Sequence, residues 1–154
     1  VVLAGDVDTG KAEGKGDVVV VGAGLTGLES AVEVAAHGHK VNVGDMIPAA
    51  PWYDNVTSNI SGSLKYRVDV NHVDTVGNAK VVEITENAVT VEVDGVKQVI
   101  PAETVIMATG MRPNETALDE LEAVVRYTSR VGDCNKVSNL MDAIHSGFQA
   151  VVDL

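Results

Sequence analysis

The chain has 154 residues, 45% of them apolar, which is enough for one domain with a true core; aromatics make up only 3%, so that core is built from Val, Ala, Leu and Ile. A net charge of −11, from 22 acidic against 11 basic residues, argues against nucleic acid and anionic membrane surfaces as partners. The single cysteine, Cys134, excludes an internal disulfide, a cysteine-based metal site and paired-thiol redox chemistry, and without a leader-like or bilayer-length apolar run the expected setting is cytoplasmic.

Residues 1–16 carry Gly, Lys and acidic turn signals with little periodicity and read as a lead-in or linker. Val18–Val21 is an apolar run short enough for a buried strand. A helix is expected from Leu25 to about His37, with Leu28, Ala31, Val32 and Ala35 on one face and Gly38 placed as its C-terminal stop. Lys40–Val43 is the next strand and completes a βαβ unit. Residues 52–64 fit either a short helix or a loop. From Arg67 to Pro101 the pattern reads as β, with turn signals at Glu86-Asn87 and Asp94-Gly95. Thr104–Met107 is a further apolar strand, and 115–125 has helical character. Arg130-Val131 reads as a short strand. Asn139 to Val152 reads as an amphipathic helix capped by Ser138 or Asn139. The expected architecture is α/β: a Rossmann-like parallel sheet with an inserted antiparallel β-meander and a C-terminal helix. The expected organisation is a lead-in at 1–16, a dinucleotide-binding domain at 17–110 and a separate segment at 111–154.

The chemistry concentrates where the first long strand gives way to its helix. Gly22, Ala23, Gly24, Leu25, Thr26 and Gly27 form a G-x-G-x-x-G in strand–turn–helix context. The first glycine permits a tight turn, the second lets backbone approach a pyrophosphate, and the third lets helix and strand pack closely. The helix N-terminus then presents N–H groups and a positive dipole end to phosphates. Asp45, at the end of the second strand, stands about 20 positions beyond the first glycine, the place of a carboxylate that binds ribose hydroxyls. Met46 and Ile47 follow, and no Lys or Arg appears until Lys65, so a 2′-phosphate has no sequence-local cation and NAD(H) is expected over NADP(H). Glu29, expected in the first helical turn, has two readings: a reach toward the nicotinamide end of the cofactor, or simple compensation of the helix dipole. His37 and His39 read as helix-end residues rather than metal ligands, and Trp52 as either an adenine-side residue or a cover for apolar surface. The same glycine fingerprint serves NAD(H) or the ADP half of FAD, and a non-enzymatic Rossmann module used for docking or dimerisation is a third reading.

Three stretches in order, Gly22 to Ala31, Ala108-Thr-Gly-Met-Arg-Pro-Asn114 and Val131-Gly-Asp-Cys134, resemble the pyridine nucleotide-disulfide oxidoreductase superfamily of flavoproteins. The tail from Val131 to Phe148 is similar to the C-terminal part of the NADH:flavin oxidoreductases in the enoate-reductase and dienoyl-CoA-reductase branch of the old yellow enzyme family. The resemblance implies an NAD(H) domain inserted within an FAD domain, itself following a flavin-bearing barrel. It places Gly22, Gly24, Gly27 and Asp45 on NAD(H), makes Thr109 and Gly110 the return from the insertion, and puts Asp133 on the ribityl chain of FAD. The implied reaction is hydride transfer from NADH to FAD, with no side chain needed as acid or base. The chain carries one fingerprint, so the resemblance assigns FAD to a full-length protein. The implied partners are that protein's flavin and barrel domains, or a second copy of the chain against the surface of 111–154.

Overall fold

The computed structural model describes residues 1–54, 56–114 and 118–152, which fall into two units, Val1–Gly110 and Met111–Leu154. In chain order the first unit contains β1 (Val2–Leu3), α1 (Ala4–Asp8), β2 (Val18–Val21), α2 (Leu25–Ala36), β3 (Val41–Gly44), α3 (Ser58–Val70), β4 (Asp74–Val76), β5 (Ala79–Ile84), β6 (Ala88–Val93), β7 (Val96–Pro101) and β8 (Thr104–Met107). A single 3-10 turn, Ala50–Tyr53, precedes α3. Five strands form a parallel sheet in the order β1-β8-β2-β3-β4, and β5-β6-β7 form a separate antiparallel meander. The expected α/β class, with its parallel sheet, meander and C-terminal helix, is the observed one.

The four valines of β2 are all buried because both faces of the sheet are covered. Side chains alternate across a strand, so Val18 and Val20 enter one core and Val19 and Val21 the other. The first core holds Leu28, Ala31 and Val32 of α2, with Leu64 and Val68 of α3. The second holds Val89 and Val91 of the meander. Strand β8 follows the same rule, with Ile106 in the helix-side core and Val105 in the meander-side core. Helix α2 ends at Gly38, whose φ of 93° is the left-handed conformation that suits glycine, and whose N–H donates to Ala35 O at 2.9 Å.

Several sequence expectations are corrected here. Residues 1–16 are not a free lead-in. Val2–Leu3 pairs with β8, α1 packs on α2 through Ser30 Oγ donating to Asp8 Oδ1 at 2.7 Å, and Lys15 exchanges two hydrogen bonds with the buried Thr104 hydroxyl at 2.8 and 2.9 Å. A two-residue strand and a five-residue helix are too short for periodicity to register. Arg67 to Val70 is the last turn of α3, not strand; Leu64 and Val68, four apart on one helical face, are the buried pair that the β-branched residues disguised. The strand expected at Lys40–Val43 lies one residue later, and Arg130-Val131 is not a strand.

The second unit contains α4 (Leu118–Val124), a 3-10 turn at Gly132–Cys134, and α5 (Leu140–Val152). Of the helical expectation for 115–125, residues 115–117 lie outside the described residues. Asn139 Oδ1 accepts the N–H of Asp142 at 2.9 Å, so Asn139 is the N-cap of α5. Gly132 N–H donates to Ser146 Oγ at 2.9 Å and joins the turn to α5. Along α5, Leu140, Ile144, Phe148 and Val151 form an exposed apolar stripe.

Candidate functional site

The C-terminal ends of β2, β3 and β8 converge on a cleft of about 630 Å³. This is where parallel α/β sheets bind ligands, at the point where the chain turns to opposite sides of the first strand. Each wall follows from local sequence. Strand β2 runs into Gly22, which has a φ of 104° and donates its N–H to Gly44 O at 2.8 Å. A Cβ at Gly22 would lie 2.4 Å from Ala108 O, and one at Gly27 would lie 2.0 Å from Gly22 O. Packing therefore demands both glycines, as the fingerprint's turn and close-packing roles require.

Gly24 differs from both. Its φ is −67°, which any residue adopts, and nothing lies within 4 Å of the place a Cβ would occupy. Neither backbone strain nor packing among the described residues calls for glycine there. Gly24 is also the N-cap of α2 and supplies no side-chain cap, so the N-terminus of this 12-residue helix opens with exposed Leu25 and Thr26.

Asp45 faces this turn from the end of β3. Its Oδ2 accepts the Ala23 N–H at 2.7 Å and its Oδ1 accepts the Ile47 N–H at 3.1 Å. An ionised carboxylate has about four acceptor positions, so each oxygen keeps capacity for a ribose hydroxyl. Gly22, Gly24, Asp45, Met46, Thr109 and Gly110 all line the cleft. Met46 is 70% exposed on the rim. Ala23, Leu25, Thr26 and Gly27 belong to the turn and helix start but do not line the cleft, and neither does the exposed Glu29. Asp133 belongs to the second unit, where its Oδ1 accepts the Ser138 N–H at 3.3 Å.

Sequence reasoning missed the meander's contribution. Ala79, Lys80 and Val81 also line the cleft, placed by the Ala79 N–H donating to Asp45 O at 2.7 Å. No local signal marks them, because they enter from a different element far along the chain. The other candidates take structural positions. His37 Nδ1 and His39 Nδ1 bond the backbone oxygens of Glu33 and Gly16 at 2.8 and 3.0 Å. Trp52 is buried in the helix-side core. Cys134 Sγ donates to Val131 O at 2.9 Å.

Fold and cleft together define a Rossmann-like module of the kind that binds a nucleotide or flavin. A family model for pyridine nucleotide-disulphide oxidoreductases matches residues 4–135, and the chain belongs to that family. Among curated relatives it is 32% identical over 136 residues to a bilirubin reductase of Mediterraneibacter gnavus, covering 88% of this chain and 21% of that protein. It is 26% identical over 189 residues to a metal reductase of Desulforamulus reducens, covering 99% of this chain and 27% of that protein. Its fold matches that of a 2-naphthoyl-CoA reductase with a TM-score of 0.86 at 24% identity, covering 99% of this chain and 23% of the larger one. The chain thus spans about a quarter of the length of these proteins. Among the described residues no helix is long and apolar enough to cross a membrane.

Proposed function

We propose that the first unit binds NAD(H) and orients it for hydride transfer to FAD within a longer flavin-dependent oxidoreductase. The observation that carries this reading is Gly24, a glycine that neither backbone strain nor packing among the described residues requires, at the N-terminus of a helix without a side-chain cap and across from a carboxylate. The donor set suits a dinucleotide. The open N-terminus of α2 receives the pyrophosphate, and the spare acceptor positions of Asp45 receive ribose hydroxyls. When bound, the nicotinamide supplies the hydride, while the protein supplies position and electrostatics. Asp133 and the N-terminus of α5 are assigned to FAD in the full-length protein. The remaining flavin and barrel domains are the partners that cover the apolar stripe of α5, a reading supported by the fraction of its relatives that this chain spans; a second copy of the chain is the competing occupant.

The test is calorimetric titration of the chain with NADH, NADPH and FAD. Saturable NADH binding that Gly24→Val abolishes without unfolding the protein is expected. Tight FAD binding with flavin absorbance would reassign the fingerprint to FAD. No heat with any of the three, from protein shown to be folded, overturns the reading.

A further inference from the structure

Strand β4 leaves the parallel sheet by an irregular exit. Its last paired residue is Val76, opposite Gly44. Beyond that pair the parallel pattern holds on one side only. Asp45 N–H donates to Val76 O at 3.1 Å. A regular parallel ladder would then bring the amide two positions beyond Val76 back to Asp45 O. The amide that arrives is Ala79 N–H, three positions beyond, at 2.7 Å. Gly77-Asn78 therefore holds one residue more than the ladder needs, which makes it a bulge. Asn78 takes a left-handed φ of 55°, a conformation that asparagine adopts more readily than most side chains.

The displaced amide has its own partner. Asn78 N–H donates to Ile47 O at 3.0 Å, an oxygen that Trp52 Nε1 also reaches, at 3.4 Å, from the helix-side core. Gly77 presses on the same loop: a Cβ there would stand 2.5 Å from Ala49 N and 3.2 Å from Pro48 C. The bulge thus holds the backbone from Asp45 to Ala49 at several points. Asp45 and Met46 line the cleft, while Gly77 and Asn78 do not.

We infer that Gly77 and Asn78 are positioning residues for the cleft: the bulge they form fixes the Asp45–Ala49 loop where it completes the wall facing the glycine turn. The inference rests on the dinucleotide reading above, and it gives neither residue a contact with the ligand. Because binding then needs the bulge closed, linkage requires bound nucleotide to hold the bulge closed in return. A role in folding stability alone makes no such demand.

The experiment titrates NADH into the chain and into Gly77→Ala, Asn78→Val and Asn78→Gly, each shown to be folded at the titration temperature. Amide hydrogen exchange of the unaltered chain is followed with and without saturating NADH. Gly77→Ala drives the Pro48–Ala49 backbone aside and Asn78→Val opposes the left-handed turn, so each should weaken NADH by about tenfold. Asn78→Gly keeps the turn and should stay within about twofold of the unaltered chain. Thr104→Val, at the start of β8 and the other end of the sheet, should also leave affinity within about twofold. Bound NADH should slow exchange of the Asn78 and Ala79 amides by about fivefold or more, and by more than it slows the Lys15 amide. Unchanged affinity in Gly77→Ala and Asn78→Val, a matching loss in Thr104→Val, or equal slowing at the two ends of the sheet overturns the inference. Where those variants do not fold, the exchange comparison decides alone. If the unaltered chain binds no NADH, the dinucleotide reading itself falls; if it binds NADH and only the bulge effects are missing, that reading stands and this inference alone is lost.

Discussion

The Asp45 carboxylate accepts the backbone N–H of Ala23 at 2.7 Å, which ties the end of β3 to the glycine turn that leaves β2. The residue assigned to the ribose thus also shapes the loop assigned to the pyrophosphate. Removing the carboxylate leaves the Ala23 and Ile47 amides without their acceptor. Asp45→Ala should lower stability by about 1–3 kcal/mol in chemical unfolding and weaken NADH at least tenfold by titration. Asp45→Asn keeps an acceptor and should lose less of both.

The two ends of the fingerprint should respond differently to alanine. Gly22→Ala meets both the left-handed φ and the Ala108 carbonyl, so unfolding experiments should show a loss above about 2 kcal/mol. Gly24→Ala meets only open space, so its stability cost should stay within about 1 kcal/mol while NADH affinity falls.

Leu28 is fully buried between α2 and the sheet, and the surrounding valines are too stiff to fill a void. Leu28→Ala should cost about 2–5 kcal/mol in denaturant unfolding.

Thr104 anchors the segment before β2 through its hydroxyl, which both accepts from Lys15 N–H and donates to Lys15 O. Thr104→Val keeps the shape and leaves two backbone groups unpaired. A loss of about 1–2 kcal/mol is expected, with faster amide hydrogen exchange around Lys15.

Burial raises the Tyr53 phenol above its ordinary value of 10.0. The folded chain therefore holds that proton to higher pH than the unfolded chain does. This stability is fully present below about pH 10 and is lost as pH rises through the folded value, because the unfolded state releases its proton first. Tyr53→Phe should remove this part of the alkaline loss of melting temperature.

The glycine turn was legible in the sequence because its residues are adjacent, and Gly22 and Gly27 answer demands set by their neighbours. Asp45 was legible for a related reason: one strand and one helix fix its distance from Gly22. Lys80 was not legible. It reaches the cleft through the meander, whose start is tied to the end of β3 by Ala79 N–H donating to Asp45 O and Asn78 N–H donating to Ile47 O. The β1–α1 segment was hidden by brevity, since Val2, Ala4 and Val7 pack against the helix-side core without completing a recognisable period. The end of α3 was misread because Val68 and Val70 carry strand propensity, which tertiary burial of Val68 overrides.

The valine run of β2 has one more consequence. A one-residue slip of a strand normally exchanges polar for apolar side chains and so corrects itself. Here every position is valine, so a slipped β2 would offer both cores the same side chain. The strand cannot proofread its own alignment with β3 and β8. That task passes to its end, where only Gly22 fits between Gly44 O and Ala108 O. The turn assigned to the cofactor thus also acts as the stop that aligns the sheet as the chain folds.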